Sequence, residues 1–163
     1  MNRLFLIAVI LSVAACATKK TYIGGTRVPY TSNNKSVLDA VEQYRLAVEK
    51  GDSASLMTMA HPQYWEDSGT PSGSDDYGYE GLKVVLASRL KMANEIRYTM
   101  RYMSVSHECK ELAAGCKATV DVLIDASFTI QNAMGKASRP DKRDQNQLLL
   151  EWNGSRWMFL AGM

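Results

Sequence analysis

Cys109 and Cys116 stand at the two ends of a short stretch, Lys110 to Gly115. Their spacing is not the C-x-x-C of a redox or zinc pair, and no neighbouring charge is placed to lower a thiol pKa. In an exported chain, two cysteines flanking a hairpin turn are most simply a disulfide. The two histidines, His61 and His107, fall in different elements, so no His-rich metal motif forms. His61 precedes Pro62 at a helix end and reads as a capping or surface residue. Glu66, Asp67, Asp75, Asp76 and Glu80 crowd one polar stretch among glycines and serines. Their charge would suit calcium, but the spacing departs from D-x-[DN]-x-[DN]-G. Neither a glycine-rich phosphate loop nor a G-x-S-x-G nucleophile turn is present. No metal and no cofactor are therefore expected.

The elements that position these residues belong to one domain of ordinary composition. The chain has 163 residues, 46% hydrophobic and 22% charged, which argues against disorder. Nineteen Lys and Arg against seventeen Asp and Glu leave no field that would suit a nucleic acid.

Helices come first. Val37, Leu38, Val41, Tyr44 and Val48 recur at helical spacing, with Ser36 and Asp39 as a capping box and Gly51 as the stop. Asp52 or Ser53 caps a shorter helix carrying Leu56, Met57 and Met59, which His61-Pro62 ends. An extended piece, Gln63 to Asp67, leads into a polar loop and then a helix from Tyr79 to Ala93 with Leu82, Leu86 and Leu90 on one face.

From there the period becomes two. Lys117 to Gln131 alternates, with Val120, Val122 and Ile124 on one side and Asp121, Leu123 and Asp125 on the other. If the first set packs on the helices, neither aspartate reaches the interior. Glu95 to Glu108 keeps one apolar face only if a β-bulge falls near Tyr102-Met103. Asn153-Gly154 predicts a two-residue hairpin turn, placing Trp152 opposite Ser155, Leu150 opposite Trp157 and Leu148 opposite Phe159. Asn132 to Asn146 reads as a long connection. The outer sheet face carries Leu123, Leu149, Met158 and Leu160, which suggests a homodimer. The expected class is α+β: three N-terminal helices packed on a curved, bulged antiparallel sheet, a cone-shaped, cystatin-like arrangement.

The N-terminus reads as an address. Arg3 precedes an apolar run, Leu4 to Leu11, that is too short to span a bilayer. Val13-Ala14-Ala15-Cys16 then resembles the lipobox of bacterial lipoproteins. That resemblance implies removal of residues 1–15 and attachment of lipid (palmitate among the acyl chains) at Cys16, giving stable membrane anchoring. Ala17 in place of Asp implies the outer membrane, facing the periplasm. Residues 16–35 read as a lipidated flexible tether, with Gly24-Gly25, Pro29 and Ser32-Asn33-Asn34 breaking any period. Residues 36–163 form the folded domain.

The order and patterning of residues 36–163 resemble the nuclear transport factor 2-like superfamily, of SnoaL-like and ketosteroid isomerase-like type. The similar stretches are Val37–Asp52, Tyr64-Trp65-Glu66-Asp67 and Trp152–Trp157. Enzymes of that superfamily hold acid–base residues between the helices and the concave sheet. By resemblance, Tyr44 and Asp67 would be the catalytic pair, and Tyr44, Trp65 and Asp67 would line the ligand pocket. Three functions follow as expectations. The first is a membrane-anchored lipoprotein with a non-catalytic domain that binds a small apolar ligand or a protein. The second is an isomerase- or hydrolase-like enzyme, and the third a dimeric scaffold subunit.

Overall fold

A computed structural model describes residues 21–67, 69, 71–131 and 134–163. The stretch expected to be a signal peptide, and Cys16, lie outside the described residues.

Helix α1 (Ser32–Lys50) starts four residues before the expected capping box. Thr31, in extended backbone, is the N-cap and accepts the Asn34 N–H at 3.0 Å. At the other end Gly51 adopts φ +68°; its N–H reaches Val48 and that of Asp52 reaches Ala47, both at 2.9 Å. This double closure is the Schellman motif, which needs a left-handed residue there. The buried stripe is Val37, Leu38, Val41, Tyr44 and Ala47. Asp52 caps α2 (Ser53–Met59) through the Ser55 N–H at 3.0 Å. Strands β1 (Trp65–Glu66) and β2 (Tyr77–Gly78) form a small antiparallel pair leading into α3 (Tyr79–Met92), which buries Leu82 and Leu86.

Five strands follow: β3 (Asn94–His107), β4 (Lys117–Gln131), β5 (Ala137–Ser138), β6 (Asp141–Trp152) and β7 (Trp157–Ala161). The main sheet is antiparallel in the order β3-β4-β6-β7, with β5 folded back on the end of β4. Helices α1 and α2 lie against one face of it, and α3 packs on α2. The α+β class, with three helices on a curved antiparallel sheet, is as expected. The bulge is where the alternation requires it: Tyr102 faces Val122 and Ser104 faces Asp121, leaving Met103 as the extra residue. The Cys109–Cys116 disulfide joins the end of β3 to the start of β4, with Cα atoms 5.8 Å apart.

Three expectations are corrected. Residues 21–35 are not a free tether. The Ile23 N–H bonds the Val28 carbonyl at 2.9 Å and the Tyr30 N–H bonds the Thr21 carbonyl at 2.7 Å, closing a small hairpin. Val28 is 0% exposed and belongs to the core. Ile23, which packs against the same core, and Val28 stand five residues apart among glycines and polar side chains, so they show no period although their burial organises the segment.

The connection Asn132 to Asn146 is shorter than expected, because β6 already pairs with β4 from Asp141 onward, opposite Ser127. The run Asp141 to Asn146 is polar on both faces, so backbone pairing rather than side-chain burial makes it a strand.

The last hairpin also shifts. Trp152 faces Trp157 and Leu150 faces Phe159, with Asn153 ahead of the turn rather than inside it. The Asn153 side-chain oxygen accepts the N–H groups of Ser155 (3.0 Å) and Arg156 (2.9 Å). Gly154 takes the positive φ alone. From Trp152 to Leu150 the shift is two residues, which keeps those side chains on their face; beyond it the register slips once more, with Leu149 opposite Ala161.

Candidate functional site

The space between α1 and the concave sheet is filled with aromatic side chains. Tyr44, from the buried stripe of α1, is 3% exposed and packs 5.1 Å from the Phe159 ring and 6.3 Å from that of Tyr98. Its hydroxyl lies 3.4 Å from the Tyr98 hydroxyl. Burial pushes the Tyr44 phenol well above its ordinary pKa, and the phenols of Tyr98, Tyr64 and Tyr77 add to the shift. Burial also raises Tyr98, with the Asp144 carboxylate contributing. Both groups stay protonated near neutrality, able to donate a hydrogen bond but not to take a proton.

Tyr64, 2% exposed, stacks at 6.4 Å on Tyr77 and donates to Glu66 Oε2 at 2.9 Å. The same carboxylate oxygen accepts the Gly162 N–H at 2.8 Å. The Tyr64 phenol is raised by burial and by that carboxylate. Farther along α1, Glu42 accepts the Tyr102 hydroxyl and is held by Arg45 at 2.8 Å, which ties α1 to β3. The Arg45 hydrogen bond is the largest influence holding the Glu42 carboxyl below its usual range.

Of the expected site residues, Tyr44 is inside, but Trp65 is 56% exposed and Asp67 is exposed as well. Asp67 Oδ1 accepts the Gly69 N–H at 3.0 Å, so its carboxylate closes a turn of the loop. The structure does not bring Tyr44, Trp65 and Asp67 together as a pocket. The parity of the short strand is opposite to the expectation, and Tyr64 and Glu66 point inward. Aromatic residues at both 64 and 65 give an alternation of so few positions nothing to choose by.

Asp121 and Asp125 lie on the outer face as expected. Asp121 accepts from Ser104 and Gln147, which holds its carboxyl low, and Asp125 pairs with Arg143 at 2.8 Å. His61 accepts the Gln63 N–H at 3.1 Å through Nδ1. Among the described residues no group of His, Cys, Asp and Glu could hold a metal ion. Of the apolar outer-face residues, Met158 is only 8% exposed within the chain, which leaves it little to offer a second copy.

The sequence did not point to a groove of about 260 Å³ between α1, α2 and the β6–β7 hairpin. Met59, Trp152 and Phe159 supply apolar walls, and Asp39, Gln43 and Arg156 a polar rim. Arg156 spends one donor on the Thr58 carbonyl, at 3.0 Å, which fixes the guanidinium at the groove edge. The clustering of Trp152, Arg156 and Trp157 about the turn was the available signal. A tightly packed hairpin explains the tryptophans equally well, so spacing alone did not single it out.

No protein-family model matches the chain, and no curated protein matches its sequence. Solved structures do. A ketosteroid isomerase-like protein from Erwinia carotovora atroseptica superposes with a TM-score of 0.58 at 16% identity, covering 82% of this chain and 95% of that one. A candidate dehydratase from the NTF2-like family of Streptomyces avermitilis gives 0.57 at 12%, covering 79% and 92%. A protein with a cystatin-like fold from Caulobacter vibrioides gives 0.52 at 13%, covering 81% and 87%. At such identities the likeness is one of architecture, and the chain has the nuclear transport factor 2-like fold, which enzymes and binding proteins share.

Proposed function

We propose that this protein is a lipid-anchored envelope lipoprotein whose domain binds its ligand without transforming it. One observation carries the non-catalytic reading: Asp67 is turned out to the loop while the groups acting on the buried Tyr44 hydroxyl are other phenols. A proton abstraction needs a base within hydrogen-bond reach of the substrate, and the groups acting on the Tyr44 hydroxyl are protonated phenols. The filled interior leaves the groove beside the last hairpin as the binding site. Its aromatic wall and the Arg156 guanidinium suit a small apolar ligand that carries an anionic group. The anchor rests on the lipobox-like Val13-Ala14-Ala15-Cys16. Among the described residues no helix is long and apolar enough to cross a membrane.

An aromatic sulfonate dye such as 8-anilinonaphthalene-1-sulfonate tests the groove. Binding should saturate, quench Trp152, and weaken about tenfold in Arg156→Ala, corresponding to the loss of one charge-assisted hydrogen bond. Asp67→Asn should leave it unchanged. Dye binding indifferent to Arg156, or a turnover abolished by Asp67→Asn, would overturn the reading. For the anchor, Cys16→Ser should move the protein from the membrane fraction to the soluble one.

A further inference from the structure

We infer that the N-terminal hairpin and the β3 bulge form a face that lies against the phosphate headgroups of an anionic bilayer. This rests on the anchoring reading above and adds an orientation to it. The hairpin already includes Thr21, whose carbonyl accepts the Tyr30 N–H, and only the four residues 17–20 separate it from Cys16. Whatever conformation they take, they reach at most about 18 Å. A lipid on Cys16 thus holds this face close to the interface, where a twenty-residue tether would let the domain turn freely.

The face is built for that position. Its hairpin is held by backbone bonds at both ends, by the buried Val28, and by Asn34 Nδ2 donating to the Pro29 carbonyl at 2.8 Å. It nevertheless leaves Tyr22 52% and Tyr30 56% exposed. Amphipathic aromatic rings settle at the headgroup level of a bilayer. The tip of the hairpin, with the bulge, encloses a hollow of about 220 Å³ lined by Arg27, Arg101, Met103 and Leu123. Neither Arg27 nor Arg101 has a hydrogen-bond or ion-pair partner among the described residues, a lack they share with Arg89 and Arg97, but of these four only Arg27 and Arg101 stand together beside a hollow. Two unpaired guanidinium groups beside one hollow match a phosphate in charge and in fork geometry.

The test uses the full acylated protein, in detergent and in vesicles of phosphatidylcholine or of phosphatidylethanolamine with phosphatidylglycerol. Amide hydrogen exchange is followed at residues 21–31 and 99–105, with α3 as the reference surface. Exchange at the first two segments should slow about fivefold in the anionic vesicles, the effect of one basic residue at a charged surface. The double variant Arg27→Glu with Arg101→Glu should abolish this slowing. Equal exchange in every medium, protection on α3 instead, or protection in detergent that grows with protein concentration overturns the face; the last would assign it to a second copy. The mass of the Cys16 peptide separates the two readings. An acylated peptide with unchanged exchange removes the face alone, and an unacylated one removes the anchor and the face together.

Discussion

Tyr64 donates its hydroxyl proton to Glu66 at 2.9 Å while accepting the Met163 N–H at 3.0 Å. One phenol therefore ties the small β1–β2 pair to the segment following β7, and the Gly162 N–H on the same carboxylate makes the tie double. Removing the hydroxyl in Tyr64→Phe leaves a part-buried N–H and a carboxylate oxygen short of a partner, at a cost of about 1–3 kcal/mol. Gly162→Ala should cost more. Its φ is +89°, and a Cβ there would sit 2.3 Å from the Gln147 carbonyl oxygen. Urea denaturation of both variants checks this; a Tyr64→Phe midpoint equal to wild type would show that the tie adds nothing.

That tie also marks the limit of what the sequence shows. Long elements with a sustained period were legible: the stripe of α1, both ends of β4, and the bulge at Met103, which a single break in alternation located. The disulfide was legible from two cysteines at a turn. Elements held by backbone bonds or by few side chains were not. Ile23 and Val28 stand without a period in a polar stretch, the start of β6 is polar on both faces, and the strand carrying Trp65 is too short for parity to emerge. The candidate site suffered most, because one inverted parity exchanged Tyr64 and Glu66 for Trp65 and Asp67.

If the N-terminal hairpin is part of the fold, Val28 must contribute to global stability. It is 0% exposed and lies in the same core as α1 and β4. Val28→Ala should cost about 2 kcal/mol through lost burial and the cavity left behind. Tyr30→Ala, at a 56% exposed position of the same hairpin, should shift the unfolding midpoint far less. Equal stability of wild type and Val28→Ala would return residues 21–31 to the status of a tether.

The Cys109–Cys116 bridge closes a short loop, with a sequence separation of 7, between the two longest strands. In the chain-entropy account such a loop stabilises the fold by about 2–3 kcal/mol. Replacing both cysteines by serine should lower the thermal midpoint by roughly 5–10 °C in a domain of this size. Reducing agent should do the same to wild type and nothing to the double variant. Matching midpoints with and without reductant would show that the pair is not oxidised in the native protein.

His107 gives the fold a dependence on acidity whose sign follows from its partners. Asn34 Nδ2 donates to the Pro29 carbonyl, which leaves Asn34 Oδ1 facing His107 Nε2 at 2.8 Å. The neutral ring therefore carries its proton on Nε2, and Nδ1 is buried without a partner among the described residues. A second proton would have to sit on Nδ1, so burial lowers the His107 pKa from its ordinary 6.5. Between the lowered value and 6.5 the unfolded chain binds more protons than the folded one. The His107 contribution is complete above about pH 6.5 and falls away as pH drops through the folded pKa. The lowered carboxyls of Glu42 and Asp121 act with the same sign but nearer pH 4. His107→Gln keeps a donor toward Asn34 and does not titrate. Its urea midpoint should change less than that of wild type between about pH 7.5 and about pH 5.5. In wild type the acid loss should come with faster hydrogen exchange at residues 21–31, since Asn34 holds the hairpin through Pro29. A variant with the same pH slope as wild type would place the titrating group elsewhere.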